Sequence, residues 1–163
     1  MNRALSGYAV FDLDGTLVDS LGDITRALGR VLERHGRRPL EASMVRSLIG
    51  RGPGVLVARG WAMTGEVAEE ARLIGLTREY LQAYRENPRG GVRPFPGIHE
   101  GLHRLILRGW KLGICTNKDG RAARTLVESL GWGRWIRVVV SGEEGVRKPD
   151  PRPLWATLRQ LGA

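Results

Sequence analysis

Three short apolar runs, each ended by polar or turn-forming residues, indicate buried strands in this chain. Around the later two, apolar positions recur at three- and four-residue spacing, which is typical of amphipathic helices. Strands that alternate with helices in this way predict an α/β fold with a Rossmann-like parallel sheet. The strands are predicted over residues 8–11, 111–115 and 136–140, and the helices over 98–106, 119–130 and the segment after Pro151.

A different pattern separates the first predicted strand from the rest of the α/β sequence. From Ser20 onward the apolar positions follow helical spacing, and no strand-like run occurs until the α/β pattern resumes. Ser20 followed by Asp23 is an N-terminal capping pattern for the first of these helices. We therefore predict an α/β core from residues 1–19 and 89–163, with an α-helical unit, residues 20–88, inserted after the first strand. The inserted helices are predicted over residues 21–35, 41–49, 55–63 and 66–86.

Composition narrows the class of protein. The chain has 163 residues, of which 42% are hydrophobic and 26% charged, so it is neither disordered nor fibrous. Its single cysteine, Cys115, excludes a disulfide framework within the chain and favours a reducing compartment. No apolar run approaches the roughly 18 residues of a membrane helix. Asp12 and Asp14 interrupt the N-terminal segment before a signal-peptide core forms. We expect a cytoplasmic protein that does not bind membranes.

The charge of the chain raises a separate question. Lys and Arg total 26 against 17 Asp and Glu, which gives a formal net charge of +9. A basic surface is the signature of many nucleic-acid-binding proteins. Here, however, the basic residues are dispersed, and the pair Arg37-Arg38 is the longest uninterrupted basic run. We therefore favour a generally basic surface over a nucleic-acid-binding function, although the second interpretation stays open.

Polar residues follow the predicted strands where ligands of parallel α/β sheets bind, beyond the carboxyl ends. Asp12 and Asp14 follow the first strand, Thr116 and Asn117 follow the second, and Lys148 comes after the third. Each group alone is ordinary for a turn or a surface. Together, two carboxylates, a hydroxyl and an ammonium group predict a site for a phosphate and a divalent cation.

The two carboxylates suit phosphoryl transfer. A carboxylate at position 12 can attack phosphorus and form an aspartyl-phosphate. Asp14, two residues later, can protonate the leaving oxygen and then deprotonate a water molecule. Because an anion attacks an anion here, a cation is expected, and Mg²⁺ is typically bound by one or two carboxylates with phosphate and water.

The remaining residues suit phosphate binding. Gly15 lets backbone N–H groups of its turn approach an anion closely. Thr116 offers a hydroxyl donor, and the turn amides around Asn117 add further donors. Lys148 supplies a positive charge against the developing charge of the transition state.

The pattern resembles the haloacid dehalogenase superfamily. The matching segments are residues 11–20 (first motif), 114–118 (second motif) and 147–151 (third motif), and the helical insertion is similar to the small α-helical cap of that superfamily. With residues 93–97 and 142–144, the closest likeness is to bacterial phosphoglycolate phosphatases. The resemblance implies Mg²⁺-dependent phosphatase activity on a small phosphorylated metabolite, with 2-phosphoglycolate as the expected substrate.

The resemblance also assigns roles to residues. It implies that Asp12 is the nucleophile and a Mg²⁺ ligand, and that Asp14 is the general acid and base and binds the metal through its backbone carbonyl. It implies that Thr116 and Lys148 hold the phosphoryl group.

The superfamily has a fourth motif, a strand that pairs with strand one and ends in acidic Mg²⁺ ligands, and these 163 residues do not contain it. The expected neighbour of strand one is therefore missing. We expect this strand to lie at the edge of the sheet and to favour self-association, and we expect Mg²⁺ binding to be weakened.

Alternative functions remain. A related phosphatase, pyrophosphatase or phosphomutase with another small phosphorylated substrate shares the same core, and an inactive or weakly active remnant or fragment is a further alternative. Arg51, in the Gly-rich break at residues 50–54, is our candidate for binding a substrate carboxylate, against the interpretation of a solvated loop arginine.

Overall fold

The computed structural model describes residues 7–86, 91–142 and 146–163. The strands are β1 (Tyr8–Phe11), β2 (Val18–Asp19), β3 (Arg93–Pro94), β4 (Lys111–Thr116) and β5 (Ile136–Ser141). The helices are α1 (Leu21–Arg34), α2 (Ala42–Arg46), α3 (Pro53–Ala62), α4 (Glu70–Arg85), α5 (Ile98–Leu107), α6 (Gly120–Ser129) and α7 (Arg152–Leu161).

The chain divides into two compact units. One consists of Met1–Val18 with Pro94–Ala163, and the other is Asp19–Arg93. The sequence placed its two domain boundaries after residues 19 and 88. The second of these lies outside the described residues, whereas the structure divides the chain after Arg93.

The first unit contains a parallel three-stranded sheet in the order β1-β4-β5. Phe11 pairs with Ile114, and Thr116 pairs with Ser141, so the carboxyl ends of the strands lie along one edge of the sheet. The predicted α/β fold and its three strands are thereby confirmed. Among the described residues, β1 pairs in this sheet with β4 alone, which places it at the sheet edge.

Helix α7 packs directly on the sheet. A Cβ atom built on Gly113 in β4 would lie 2.9 Å from Thr157 Cγ2 and 3.1 Å from Leu161 Cδ1, so glycine lets these two side chains of the helix lie directly on the strand. The end of α7 is tied to the start of the strands, because the Tyr8 hydroxyl donates to the Gly162 carbonyl (2.6 Å) and Lys111 Nζ to the Leu161 carbonyl (3.1 Å). Helix α7 therefore runs antiparallel to the strands and begins on the side where they end.

The second unit is helical, and its apolar core is built by one face of each helix. The largest buried side chain is Trp61 of α3. Its ring packs edge-to-face against the His35 ring, and the Arg37 guanidinium carbon lies over it, 3.6 Å from the ring centre. This explains why an arginine borders an apolar core, since its charge contacts an aromatic face. The buried core residues are Ile24, Ala27, Leu28, Val31, Leu32, Leu40, Val45, Leu48, Leu56, Val57, Trp61, Leu76, Tyr80 and Ala83.

The capping pattern predicted in this unit is confirmed as the start of α1, but the side-chain hydrogen bonds are not those of a capping box. Ser20 is the N-cap residue of α1, but its side chain makes no capping hydrogen bond, and the N–H of Leu21 donates to Asp19 Oδ1 instead (3.2 Å). The Asp23 carboxylate accepts from the N–H of Gly91, at 3.1 and 3.0 Å, and from Arg26. The Asp23 carboxylate is therefore hydrogen-bonded to Gly91, 68 positions away, and not to the backbone of the N-cap residue as in a capping box.

Strands β2 and β3 pair with each other in a second, two-stranded sheet. Each is only two residues long, too short for any periodicity in the sequence to indicate it. Among the described residues, no helix combines the length and hydropathy needed to cross a membrane.

Candidate functional site

The loop after β1 presents the two aspartates. Leu13 is fully buried, and its carbonyl accepts backbone N–H groups from residues 16, 17 and 18 at 3.0–3.3 Å. This anchor fixes the loop while the flanking Asp12 and Asp14 side chains stay 36% and 13% exposed. The anchored loop holds both carboxylates at the carboxyl edge of the sheet, where the sequence predicted them.

Gly15 completes this loop. Its φ of +77° lies in the region that favours glycine, and its N–H donates to the Val18 carbonyl at 2.8 Å. The amide of Gly15 is thus already hydrogen-bonded within the turn. The positive φ of the turn is sufficient reason for a glycine at this position. The predicted contact of Gly15 with phosphate stays a prediction.

Lys148 reaches the first aspartate. Its Nζ lies 2.7 Å from Asp12 Oδ1, although the two residues are far apart in the sequence. The Lys148 side chain is 29% exposed, so the pair lies at a partly solvated surface rather than inside the core. The structure therefore brings together two of the predicted site residues and places a positive charge beside the carboxylate.

Asn117 holds the backbone of Lys148. Its Nδ2 donates to the Lys148 carbonyl at 3.0 Å, and its Oδ1 accepts from the Lys148 N–H at 2.9 Å. The side chain is buried just after β4. Sequence reasoning assigned Asn117 to the phosphate through the amides of its turn, and that assignment stays a prediction. What the structure adds is that the side-chain amide positions Lys148.

Thr116 ends β4 with its side chain buried. Its Oγ1 accepts the backbone N–H of Lys118 at 3.2 Å. A hydroxyl that accepts in this way retains a proton to donate, as phosphate binding requires. Asp119 then caps helix α6 through its Oδ1, which accepts the N–H of Ala122 at 2.9 Å. The segment from Thr116 to Asp119 is therefore held at both ends.

Lys118 contacts the second aspartate, and sequence reasoning gave it no role. Its Nζ lies 3.1 and 3.3 Å from the two carboxylate oxygens of Asp14. Only 7% of the Lys118 side chain is exposed, and lysines are seldom buried to this extent unless they are paired. The sequence indicated a site role for Lys118 only in that it directly follows Thr116 and Asn117, which were predicted site residues.

Other groups near this edge have structural explanations. Burial raises the pKa of the Cys115 thiol, which lies inside β4 as a small apolar residue. Hydrogen bonds from Arg152 lower the pKa of Asp150 to about 2, and the two side chains form a surface pair at the start of α7. Glu143 and Glu144, which contributed to the sequence resemblance, lie outside the described residues.

The aspartates also bear on metal binding. The described parts of the chain contain no group of three or more His, Cys, Asp or Glu side chains that could hold a metal ion by itself. Two carboxylates on one loop nevertheless match the hard oxygen ligands of Mg²⁺, which typically keeps water and substrate phosphate as its other ligands. The donor set of Asp12 and Asp14 fits a Mg²⁺ ion shared with a phosphorylated substrate.

Arg51 belongs to the helical unit, where it lies exposed in a bend before α3. Its predicted contact with a substrate carboxylate stays a prediction.

Comparisons with known proteins match this arrangement. The family model of haloacid dehalogenase-like hydrolases matches residues 9–163. A phosphoglycolate phosphatase of Rhodospirillum rubrum is 41% identical over 162 residues, covering 94% of this chain and 66% of the relative. One of Agrobacterium fabrum is 35% identical, covering 99% of this chain and 70% of the relative. The chain thus spans about two thirds of the length of these relatives.

Solved structures agree. The crystal structure of a predicted phosphoglycolate phosphatase from Haemophilus somnus superposes with a TM-score of 0.83 and 25% sequence identity, covering 99% of this chain and 73% of the other. The family model covers nearly the whole chain, and the motif residues occupy one edge of the expected sheet. The chain belongs to the haloacid dehalogenase-like hydrolases, and its curated relatives in that family are phosphoglycolate phosphatases.

Proposed function

We propose that this chain carries the catalytic site of a Mg²⁺-dependent phosphatase that hydrolyses 2-phosphoglycolate through an aspartyl-phosphate. The observation that carries the proposal is the 2.7 Å pair between Lys148 Nζ and Asp12 Oδ1 at the carboxyl edge of the sheet. The choice of substrate follows the curated relatives, which are 35–41% identical.

Asp12 acts as the nucleophile. One carboxylate oxygen attacks phosphorus, a new oxygen–phosphorus bond forms, and the bond from phosphorus to the glycolate oxygen breaks. Asp14 gives a proton to that leaving oxygen, so glycolate departs with a hydroxyl group. Asp14 then takes a proton from water as the water oxygen attacks phosphorus and the bond from phosphorus to the Asp12 oxygen breaks. Inorganic phosphate is released and the Asp12 carboxylate is regenerated.

Two residues hold the phosphoryl group. Lys148 places its ammonium beside the Asp12 carboxylate, close to where negative charge accumulates in the transition state. Thr116 donates its hydroxyl proton to a phosphoryl oxygen while its own oxygen accepts the N–H of Lys118. The end of β4 positions both groups, because Thr116 is its last residue and Asn117, which follows, fixes the Lys148 backbone.

Asp12 and Asp14, the latter through its backbone carbonyl, would hold Mg²⁺. When bound, the ion supplies positive charge that offsets the repulsion between the attacking carboxylate and the phosphate.

The proposal extends to partners and location. The substrate is a small phosphorylated metabolite, and neither nucleic acid nor membrane takes part. A cytoplasmic location is supported by the lone cysteine, Cys115, which is a buried free thiol.

A substrate panel tests the proposal. Phosphate release would be measured in the presence of Mg²⁺ with 2-phosphoglycolate, ethyl phosphate, pyrophosphate and glucose 1-phosphate. The proposal predicts the highest kcat/KM for 2-phosphoglycolate. A preference for pyrophosphate, or conversion of glucose 1-phosphate to its isomer without phosphate release, would favour the related pyrophosphatase or phosphomutase functions. Hydrolysis of none of the four would contradict the proposal.

A further inference from the structure

The buried pair between Lys118 and Asp14 suggests how the substrate is selected. Lys118 Nζ contacts both carboxylate oxygens of Asp14, at 3.1 and 3.3 Å, and its side chain is only 7% exposed. The other lysine of the site, Lys148, contacts Asp12 instead. The two ammonium groups are therefore divided between the two aspartates.

This division has a chemical consequence under the proposed function. Asp12 bonds to phosphorus, so Lys148 lies on the phosphoryl side of the reaction. Asp14 exchanges a proton with the leaving oxygen, so a cation in contact with Asp14 lies on the leaving-group side. In 2-phosphoglycolate the leaving group is glycolate, whose carboxylate carbon is separated from the leaving oxygen by a single methylene. A carboxylate so close to that oxygen comes within reach of a cation that touches Asp14.

We propose that Lys118 binds the carboxylate of 2-phosphoglycolate and so selects substrates whose leaving group is a 2-hydroxy acid. The inference rests on the proposed function and names the specificity-determining residue of the same site. A lysine ammonium has three donors that rotate about a flexible stem, so it can be shared between Asp14 and a second carboxylate.

The backbone around Lys118 supports this role. Its N–H is held by Thr116 Oγ1 at 3.2 Å, and the following residue, Asp119, is fixed as the cap of α6. Because the backbone is held on both sides of Lys118, the ammonium group is positioned before the substrate binds, and this limits the conformational entropy lost on binding. The alternative is that Lys118 only holds Asp14 in place, and this alternative makes a different kinetic prediction.

The test compares two substrates and two lysine variants. Ethyl phosphate keeps the two-carbon leaving group of 2-phosphoglycolate but replaces the carboxylate with a methyl group. We expect Lys118→Met to raise KM for 2-phosphoglycolate about 10- to 100-fold more than it raises KM for ethyl phosphate, as for loss of a charged hydrogen bond to the carboxylate that only the first substrate carries. Lys118→Arg should restore part of the discrimination, since it keeps the charge.

Lys111→Met is the matched control. Lys111 starts the same strand, β4, at the end opposite Thr116, and it contacts the end of α7. We expect this variant to keep the wild-type ratio of kcat/KM for the two substrates. Thermal unfolding of each variant separates loss of recognition from loss of the fold.

Binding gives a readout that is independent of turnover. In an Asp12→Asn background, calorimetry should show that adding Lys118→Met weakens binding of 2-phosphoglycolate more than it weakens binding of ethyl phosphate. Equal losses for both substrates, in KM or kcat, would overturn the inference and leave the proposed function in place. If the wild-type chain neither binds nor hydrolyses 2-phosphoglycolate, the proposed function fails and the inference fails with it.

Discussion

Asn117 and Lys148 are joined by two reciprocal hydrogen bonds, from Asn117 Nδ2 to the Lys148 carbonyl at 3.0 Å and from the Lys148 N–H to Asn117 Oδ1 at 2.9 Å. The residues are 31 positions apart, and the Asn117 side chain is 5% exposed. Because Lys148 Nζ lies 2.7 Å from Asp12, this amide links the end of β4 to the proposed nucleophile through the lysine.

Removal of this amide should impair catalysis. Asn117→Ala leaves the N–H and carbonyl of Lys148 without these partners, so the position of the ammonium group is no longer fixed. We expect kcat/KM for 2-phosphoglycolate to fall by about 10- to 100-fold, equivalent to the loss of about 1.4–2.8 kcal/mol of transition-state stabilisation. Steady-state kinetics would measure the change.

Gln82→Ala is the control for Asn117→Ala. Gln82 carries the same amide group on the exposed side of α4, where it contacts Glu86 at 2.7 Å. We expect its removal to leave kcat/KM unchanged. Unaltered kinetics in Asn117→Ala would show that Lys148 does not depend on this amide.

Arg51 provides a second test of carboxylate recognition. It is exposed in the helical unit, where a contact with a carboxylate in solvent contributes less than one at a buried site. We expect Arg51→Ala to lower the preference for 2-phosphoglycolate over ethyl phosphate by about threefold, a smaller loss than for Lys118→Met. A preference equal to that of the wild-type chain would show that Arg51 is a solvated loop residue.

The contact between α7 and the sheet should be sensitive to a single methyl group. In Gly113→Ala the new Cβ would lie 2.9 Å from Thr157 Cγ2, so the Thr157 side chain or the helix that carries it must shift. We expect the free energy of unfolding to fall by about 1–3 kcal/mol, the usual cost of overpacking. Chemical denaturation would measure it.

Gly101→Ala is the matched control, because a Cβ there meets no atom within 4 Å. Gly101 lies inside helix α5, where alanine is favoured over glycine by about 0.5–1 kcal/mol. We expect this variant to be more stable than the wild-type chain. A Gly113→Ala protein of unchanged stability would show that α7 adjusts without cost.

The edge position of β1 leads to a prediction about association. In the part of the chain that the structure describes, β1 pairs only with β4 in the three-stranded sheet, and unpaired strand edges favour pairing with another chain. We expect the sedimentation coefficient to rise with protein concentration. Ala9→Lys, which adds a charge to the edge strand, should reduce that rise. A monomer at every concentration would contradict this prediction.

Most of the correct predictions rest on local patterns of apolar and polar residues. The strands at residues 8–11, 111–116 and 136–141 form apolar runs with clear polar ends, so their positions and the edge that carries the site could be predicted from the pattern, whereas their order in the sheet was not predicted. The sequence predicted only that Asp12 and Lys148 lie at the same edge of the sheet, and not that they contact each other. Its geometry depends on a hydrogen bond to Asn117 that no local pattern encodes.

The errors and omissions have a common physical cause. Asp23 was assigned to a capping box, but it bonds to Gly91, 68 positions away. Lys118 was given no role because its partner, Asp14, lies 104 positions away. In both cases a tertiary contact determines what a charged side chain does, and local propensity cannot indicate it.

The most direct test of the proposed mechanism is phosphate release from 2-phosphoglycolate by the wild-type chain and by Asp12→Asn, each measured with Mg²⁺ and with the metal removed by chelation. The Asn side chain is nearly isosteric with Asp but is not an anionic nucleophile. The account predicts release by the wild-type chain with Mg²⁺, a loss of activity without the metal, and a decrease of at least about 1,000-fold in Asp12→Asn. Equal rates in the two proteins would contradict the role of Asp12 as nucleophile.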